Sequence, residues 1–165
     1  MNIGDMKKSS YDVGKQNESG SWEIMHTCGF VRPTPPQRKN LVDAFASVGM
    51  ELKAKGFDLI RESDVGSIND AEKLAEVLDS IKIYELKTAG RDRKATIKEN
   101  WSGLGFTLTG AEKHNAETLG NNYRFLFLNL KNNSLRECGL EDFFSPEISG
   151  IYPTWSVFIR KGLTD

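Results

Sequence analysis

Polar residues dominate the chain without periodicity as far as residue 20, and from Trp22 onward apolar positions fall into blocks of alternating helical and strand spacing. Residues 1–20, with Lys7-Lys8-Ser9-Ser10 and Gly14-Lys15-Gln16-Asn17, therefore read as a disordered tail, and residues 21–165 as one domain. Thr34-Pro35-Pro36-Gln37 has the form of a helix start, with threonine as cap, proline in the first turn and glutamine reaching back. Leu41, Ala44, Phe45, Val48 and Leu52 follow at helical spacing, and Gly56 reads as the stop. Phe57-Asp58-Leu59-Ile60 opens a strand running towards Asp64-Val65-Gly66, and Ala71, Leu74, Val77 and Leu78 form the stripe of a shorter helix over about residues 69–78. Ile81 to Thr88 is a β-branched and aromatic strand.

Thr109-Gly110-Ala111-Glu112 supplies a second capping box, for a helix ending near Leu119-Gly120. It leads into Tyr123-Arg124-Phe125-Leu126-Phe127-Leu128, a nearly continuous apolar run. A strand apolar on both faces is covered by helices on both sides, which points to the centre of a mixed or parallel sheet. Lys131 to Ser134 reads as a turn, Leu140 to Phe144 as a short helical turn, and Trp155 to Arg160 as a last strand. The predicted fold is α/β, a mixed central β-sheet flanked by helices.

Charge narrows the function classes. Twenty-two basic residues against 23 acidic ones leave a net charge of −1, so no global positive field draws the 165-residue chain to nucleic acid or an anionic membrane. Nucleic-acid binding would have to come from a local patch. Cys28 and Cys138 form no Cys-x-x-Cys motif, His26 and His114 stand alone, and no apolar run reaches the roughly eighteen residues of a membrane span. These features predict a reduced, cytoplasmic setting without a structural zinc site.

Candidate chemistry centres on Tyr84-Glu85-Leu86-Lys87. Side chains alternate along a strand, so Glu85 and Lys87 share one face, and burying two charges is costly unless they pair, hold a metal or meet a substrate. An ordinary edge-strand ion pair is the plain alternative. The second Glu-x-Lys, Glu51-Leu52-Lys53, falls in a segment that reads as helix, where residues two apart diverge by about 200°. Magnesium takes one or two protein carboxylates and fills its octahedron with water and phosphate. Glu85 offers one; Asp64 is the best-placed second ligand, with Asp58 and Asp79 in reserve and Glu62 behind them.

Asp64, Glu85-Leu86-Lys87 and the order of elements around them resemble the PD-(D/E)xK nuclease superfamily, which includes many restriction endonucleases. Glu85-Leu86-Lys87-Thr88, Phe106-Thr107-Leu108-Thr109, Glu112 and Asn122-Tyr123-Arg124-Phe125 are similar to the nuclease-like domain family of the C-terminus of the plant protein NO VEIN, also found in bacterial restriction systems. The resemblance covers about residues 40–130. It implies a restriction endonuclease-like fold, Asp64 and Glu85 as ligands of Mg2+ (or Mn2+), and Lys87 as the catalytic lysine. Ser63 stands where the superfamily has proline, and a helix-like insertion separates Asp64 from Glu85.

Arg91, Arg93, Lys94 and Lys98 cluster just beyond this strand and suit backbone phosphates, or a solvated loop. Trp101, Phe106 and Tyr123 have the chemistry to stack on bases but the spacing of core residues; His114 reads as a surface residue, and Arg124 as snorkelling to the sheet edge. The expectation is a magnesium-dependent endonuclease acting on DNA in a prokaryotic restriction or defence system, as a homodimer or with a partner subunit. The rivals are a non-catalytic DNA-recognition module and a protein-interaction adaptor.

Overall fold

A computed structural model of the chain describes residues 20–89 and 106–143. The tail read over residues 1–20 (Gly20 excepted), the basic cluster from Arg91 to Lys98, Trp101 and the strand from Trp155 lie outside them. In chain order the elements are α1 (residues 20–27), β1 (Phe30–Val31), α2 (Pro35–Ser47), β2 (Leu59–Arg61), α3 (Val65–Ile68), α4 (Ala71–Val77), β3 (Ile83–Ala89), α5 (Gly110–Leu119), β4 (Tyr123–Asn129) and β5 (Ser134–Cys138).

The strands form one five-stranded mixed sheet in the order β1-β2-β3-β4-β5. β3 and β4 run parallel from Ile83↔Tyr123 to Ala89↔Asn129, and the other neighbours are antiparallel. Parallel neighbours need a long crossover, and α5 lies in the one that joins β3 to β4. The α/β reading with a mixed central sheet is thus met.

Both sheet faces are buried. On one, Ile60, Ile83, Tyr123, Phe125 and Phe127 pack with Leu41 and Phe45 of α2, Leu74 of α4 and Leu119 of α5. On the other, Leu59, Tyr84, Leu86, Leu126 and Leu128 pack with Met25 of α1 and Phe30. β4 is therefore apolar on both faces, as its sequence indicated. No helix among the described residues is long and apolar enough to cross a membrane.

Both capping boxes form. Thr34 N donates to Gln37 Oε1 at 2.8 Å while Gln37 N donates to Thr34 Oγ1 at 3.4 Å. At α5 the same exchange joins Thr109 N to Glu112 Oε2 (3.1 Å) and Glu112 N to Thr109 Oγ1 (3.2 Å).

Two boundaries differ from the sequence pattern, and four elements were absent from it. α2 ends at Ser47, not at Gly56, because Gly49 takes a φ of +82° that terminates the helix; Val48 is exposed and Leu52 is buried from beyond the helix. Glu51-Leu52-Lys53 is accordingly not helical. β2 stops at Arg61, where Glu62–Asp64 turn into a 3-10 helix, so Asp64 is not a strand residue. Finally, α1, α3, β1 and β5 were not legible: β1 has two residues, and β5, Ser-Leu-Arg-Glu-Cys, is a polar strand that ends the sheet order.

Candidate functional site

The pairing of β2 with β3 brings the acidic residues together. Its register, Leu59↔Tyr84 and Ile60↔Ile83, continued by one residue would set Asp58 across from Glu85. The chain leaves that register at Asp58 itself: Asp58 N donates to Tyr84 O at 2.8 Å, and Leu86 N donates to Asp58 Oδ2 at 3.2 Å, which sets the Asp58 carboxylate against β3 where its charge acts on Glu85. Lys87 lies two residues from Glu85 on the same strand face, and its ammonium donates to Glu85 Oε1 (3.0 Å) and to Glu112 Oε2 (2.7 Å) from the first turn of α5. Glu85 is 7% exposed and Glu112 6%.

Three carboxyl groups thus crowd around one ammonium in a poorly solvated place. Burial, then the neighbouring Asp58 charge, pushes the Glu85 carboxyl up to about 8, against the pull of Lys87. Burial also raises Asp58, opposed by the Leu86 N–H and by Lys87. Glu112 goes the other way: burial would raise it, but the Lys87 ammonium and the Thr109 N–H outweigh that and hold it low. Lys87 is raised because its hydrogen bonds and ion pairs to Glu112 and Glu85 overcome its own burial. Arg38 and Arg32 are further cations that act on Asp58; burial lowers the Arg38 pKa, opposed by Asp58 and Glu85. The cluster gathers three carboxyl groups, whose hard oxygens are of the type a divalent cation takes.

The loop before Asp58 is fixed from three directions. Arg38 of α2 donates to Ala54 O (2.8 Å) and Phe57 O (2.6 Å), its guanidinium 4.5 Å from the Phe57 ring centre. Asn115 of α5, fully buried, accepts from Lys53 N (2.7 Å) and donates to Lys53 O (2.9 Å) and Gly56 O (3.0 Å). The Tyr123 hydroxyl donates to the same Gly56 carbonyl. Gly56 is the point of contact, since a Cβ there would sit 2.6 Å from Asn115 Nδ2 and 2.7 Å from the Ala111 backbone. Gly56→Ala is therefore expected to push the loop off α5 and destabilise the fold by about 1–3 kcal/mol, read as a lower urea midpoint at unchanged slope.

Of the residues singled out in the sequence, Glu85 and Lys87 meet, and Asp58, held there in reserve, is the acid beside them. Asp64 does not join them. It lies in the 3-10 turn after β2, accepts from Ser63 Oγ at 3.2 Å, and its charge reaches the Tyr84 hydroxyl on the other face of β3. Glu62 shares that turn, and Asp79 lies in the turn before β3, where its carbonyl accepts from Asn122 Nδ2 at 3.0 Å. Tyr123 is core, Phe106 packs edge-on against Phe127 with ring centres 5.0 Å apart, and His114 Nε2 lies 3.0 Å from Glu51 O. Arg124 reaches the sheet edge, pairing with Glu141 at 2.9 Å. Sequence reasoning took Glu112 as a cap and as part of the motif that carries the resemblance, without a role at the site, took Gly56 only as a stop, and passed over Asn115 and Arg38.

Among the described residues no group of three or more His, Cys, Asp or Glu side chains is arranged to hold a metal ion. The donor set here is the Asp58–Glu85 pair, with Glu112 committed to Lys87, and one or two carboxylates are what magnesium usually takes from a protein. A cleft of about 540 Å³, lined by Trp22, His26, Phe30, Val31, Arg32 and Leu59, opens on the other face of the sheet, away from these acids. Compared with protein-family models, with curated proteins and with solved structures, the chain matches none of them.

Proposed function

We propose that this chain is a divalent-metal nuclease that hydrolyses DNA phosphodiester bonds, as part of a prokaryotic restriction or defence system. One observation carries the reading: Asp58 lies beside Glu85 with its carboxylate on the Leu86 N–H, and Lys87 shares the strand face of Glu85, in a cluster that buries three carboxyl groups. Two further features favour it. The parallel β3–β4 pair with α5 in its crossover is the order of elements that the restriction endonuclease-like resemblance implies. The basic residues Arg91, Arg93, Lys94 and Lys98 begin four positions after Lys87 in the sequence and supply the backbone-phosphate contacts of this proposal.

Asp58 and Glu85 hold Mg2+ (or Mn2+), and Asp64, named by the resemblance, has no place in this ligand set. When bound, the ion supplies charge stabilisation at the phosphate and a more acidic water. Asp58 and Glu85 fix its position through their backbone ties, since Asp58 is locked to Leu86 N and Glu85 projects from a central strand. Lys87, in reach of the same face, orients the attacking water and offsets the charge that builds on the phosphate oxygens. Water attacks phosphorus, the P–O3′ bond breaks and a 5′-phosphate is left.

The test is cleavage of plasmid DNA with and without magnesium, by the parent, Glu85→Ala and Lys87→Ala. The parent is expected to cut only with the metal, and each variant to lose about 1000-fold or more in rate. DNA binding that weakens with salt but never leads to cutting would instead identify a recognition module, and no binding even at low salt an adaptor. Manganese affinity should rise between about pH 6 and pH 9, because Glu85, at about 8, must give up its proton to coordinate. A titration followed by calorimetry would show it.

A further inference from the structure

Lys87 has two carboxylate partners, and they differ in what else they do. Glu85 is the residue that the nuclease reading gives to the metal. Glu112 also acts on the Glu85 carboxyl; it sits at the start of α5, where the same Oε2 that accepts from Lys87 at 2.7 Å accepts from Thr109 N at 3.1 Å. Its capping bonds fix its rotamer, and its burial keeps water from replacing Lys87 as a partner. A side chain as flexible as lysine, with four rotatable methylenes, needs such an anchor once Glu85 turns to a cation.

From this geometry, and resting on the nuclease reading above, we infer that Glu112 is the positioning residue for Lys87: it holds the ammonium on the α5 side of the site, so that Lys87 faces the reacting phosphate instead of remaining on the metal-binding glutamate. α5 then does two jobs from one face. Glu112 and Asn115 are three residues apart and so neighbours on the helix surface, the first holding Lys87 and the second the loop that carries Asp58.

The chain itself supplies the control substitution. In α2 the glutamine Gln37 fills the same capping-box position that Glu112 fills in α5, so Glu112→Gln keeps the cap and removes the charge. Glu112→Ala removes both. With Glu112→Gln the melting temperature is expected to fall less than with Glu112→Ala, since the cap stays and only the charge paired with Lys87 is lost. Labelling of Lys87 by an amine-reactive reagent, followed by mass spectrometry, should rise about 10-fold, and kcat for DNA cleavage should fall about 100-fold at unchanged KM, the scale of loss when a reacting group is misplaced. Glu112→Ala, which also loses the cap, should lower the melting temperature further.

An active parent whose Glu112→Gln variant cleaves as fast, or labels at Lys87 no faster, overturns the positioning role and leaves the nuclease reading standing. A parent that binds manganese and DNA yet never cleaves overturns the nuclease reading, and the positioning role with it. A Glu112→Gln melting temperature as low as that of Glu112→Ala, with the same kcat loss, also overturns it, since the residue would then act through the fold alone.

Discussion

Asp58→Asn is expected to reduce magnesium-dependent DNA cleavage by about 1000-fold or more, while Asp64→Asn leaves it within about threefold. The asymmetry follows from position. Asp58 lies just before β2 with its carboxylate tied to the Leu86 N–H and its charge acting on Glu85, whereas Asp64 sits beyond the end of β2, hydrogen-bonded to Ser63. Asparagine keeps the carbonyl oxygen that accepts from Leu86, so the loop stays in place and the loss is one of charge at the ligand. Manganese titration of Asp58→Asn should show affinity reduced by about 10-fold or more, and that of Asp64→Asn no change. Equal activity of the parent and Asp58→Asn would remove Asp58 from the site; loss of activity in Asp64→Asn alone would restore the ligand that the resemblance names.

Glu85→Gln is expected to make the metal-free protein more stable at alkaline pH while it abolishes cleavage. The ordinary value for the Glu85 carboxyl is 4.5 and the folded value is about 8, so folding favours its protonated form. For a raised group the stabilising contribution is complete below the unfolded pKa and is lost as pH rises through the folded one. The parent should therefore weaken between about pH 4.5 and pH 8, by at most about 5 kcal/mol at about 1.4 kcal/mol per pKa unit. Relaxation around Lys87 and Asp58 brings the expected value nearer about 2 kcal/mol. Glutamine, neutral and of the same shape, does not carry this cost. Its melting temperature should exceed the parent's by about 5 °C at about pH 9 and equal it at about pH 5. Saturating magnesium should reverse the order, since only the parent gains by binding it. A Gln variant less stable than the metal-free parent at about pH 9 would mean that the Glu85–Lys87 pair is a net stabiliser, and the bland ion-pair reading would then gain.

What was legible in the sequence followed from short-range rules. The alternation in Ile83 to Lys87 put Glu85 and Lys87 on one face, the spacing of Thr34 with Gln37 and of Thr109 with Glu112 marked two helix starts, and the two-faced apolar run from Tyr123 placed β4 inside the sheet. What was hidden depended on pairing between distant segments. Asp58 and Asp64 flank the same strand, and only the antiparallel register of β2 against β3 chooses between them. Gly49 and Gly56 are both plausible helix stops; the one with φ at +82° ends α2, and the other is needed against α5. Glu112 was concealed by its own local success. Its capping bonds account for a glutamate at that position, and nothing in the chain signals that the same oxygen also meets Lys87.

Soaking crystals in manganese and mapping its anomalous scattering tests the central claim most directly. The account predicts one peak in contact with the carboxylates of both Asp58 and Glu85, with Lys87 still held by Glu112. A fully soaked crystal with no ion between those two side chains, or with the ion on Asp64, would contradict it.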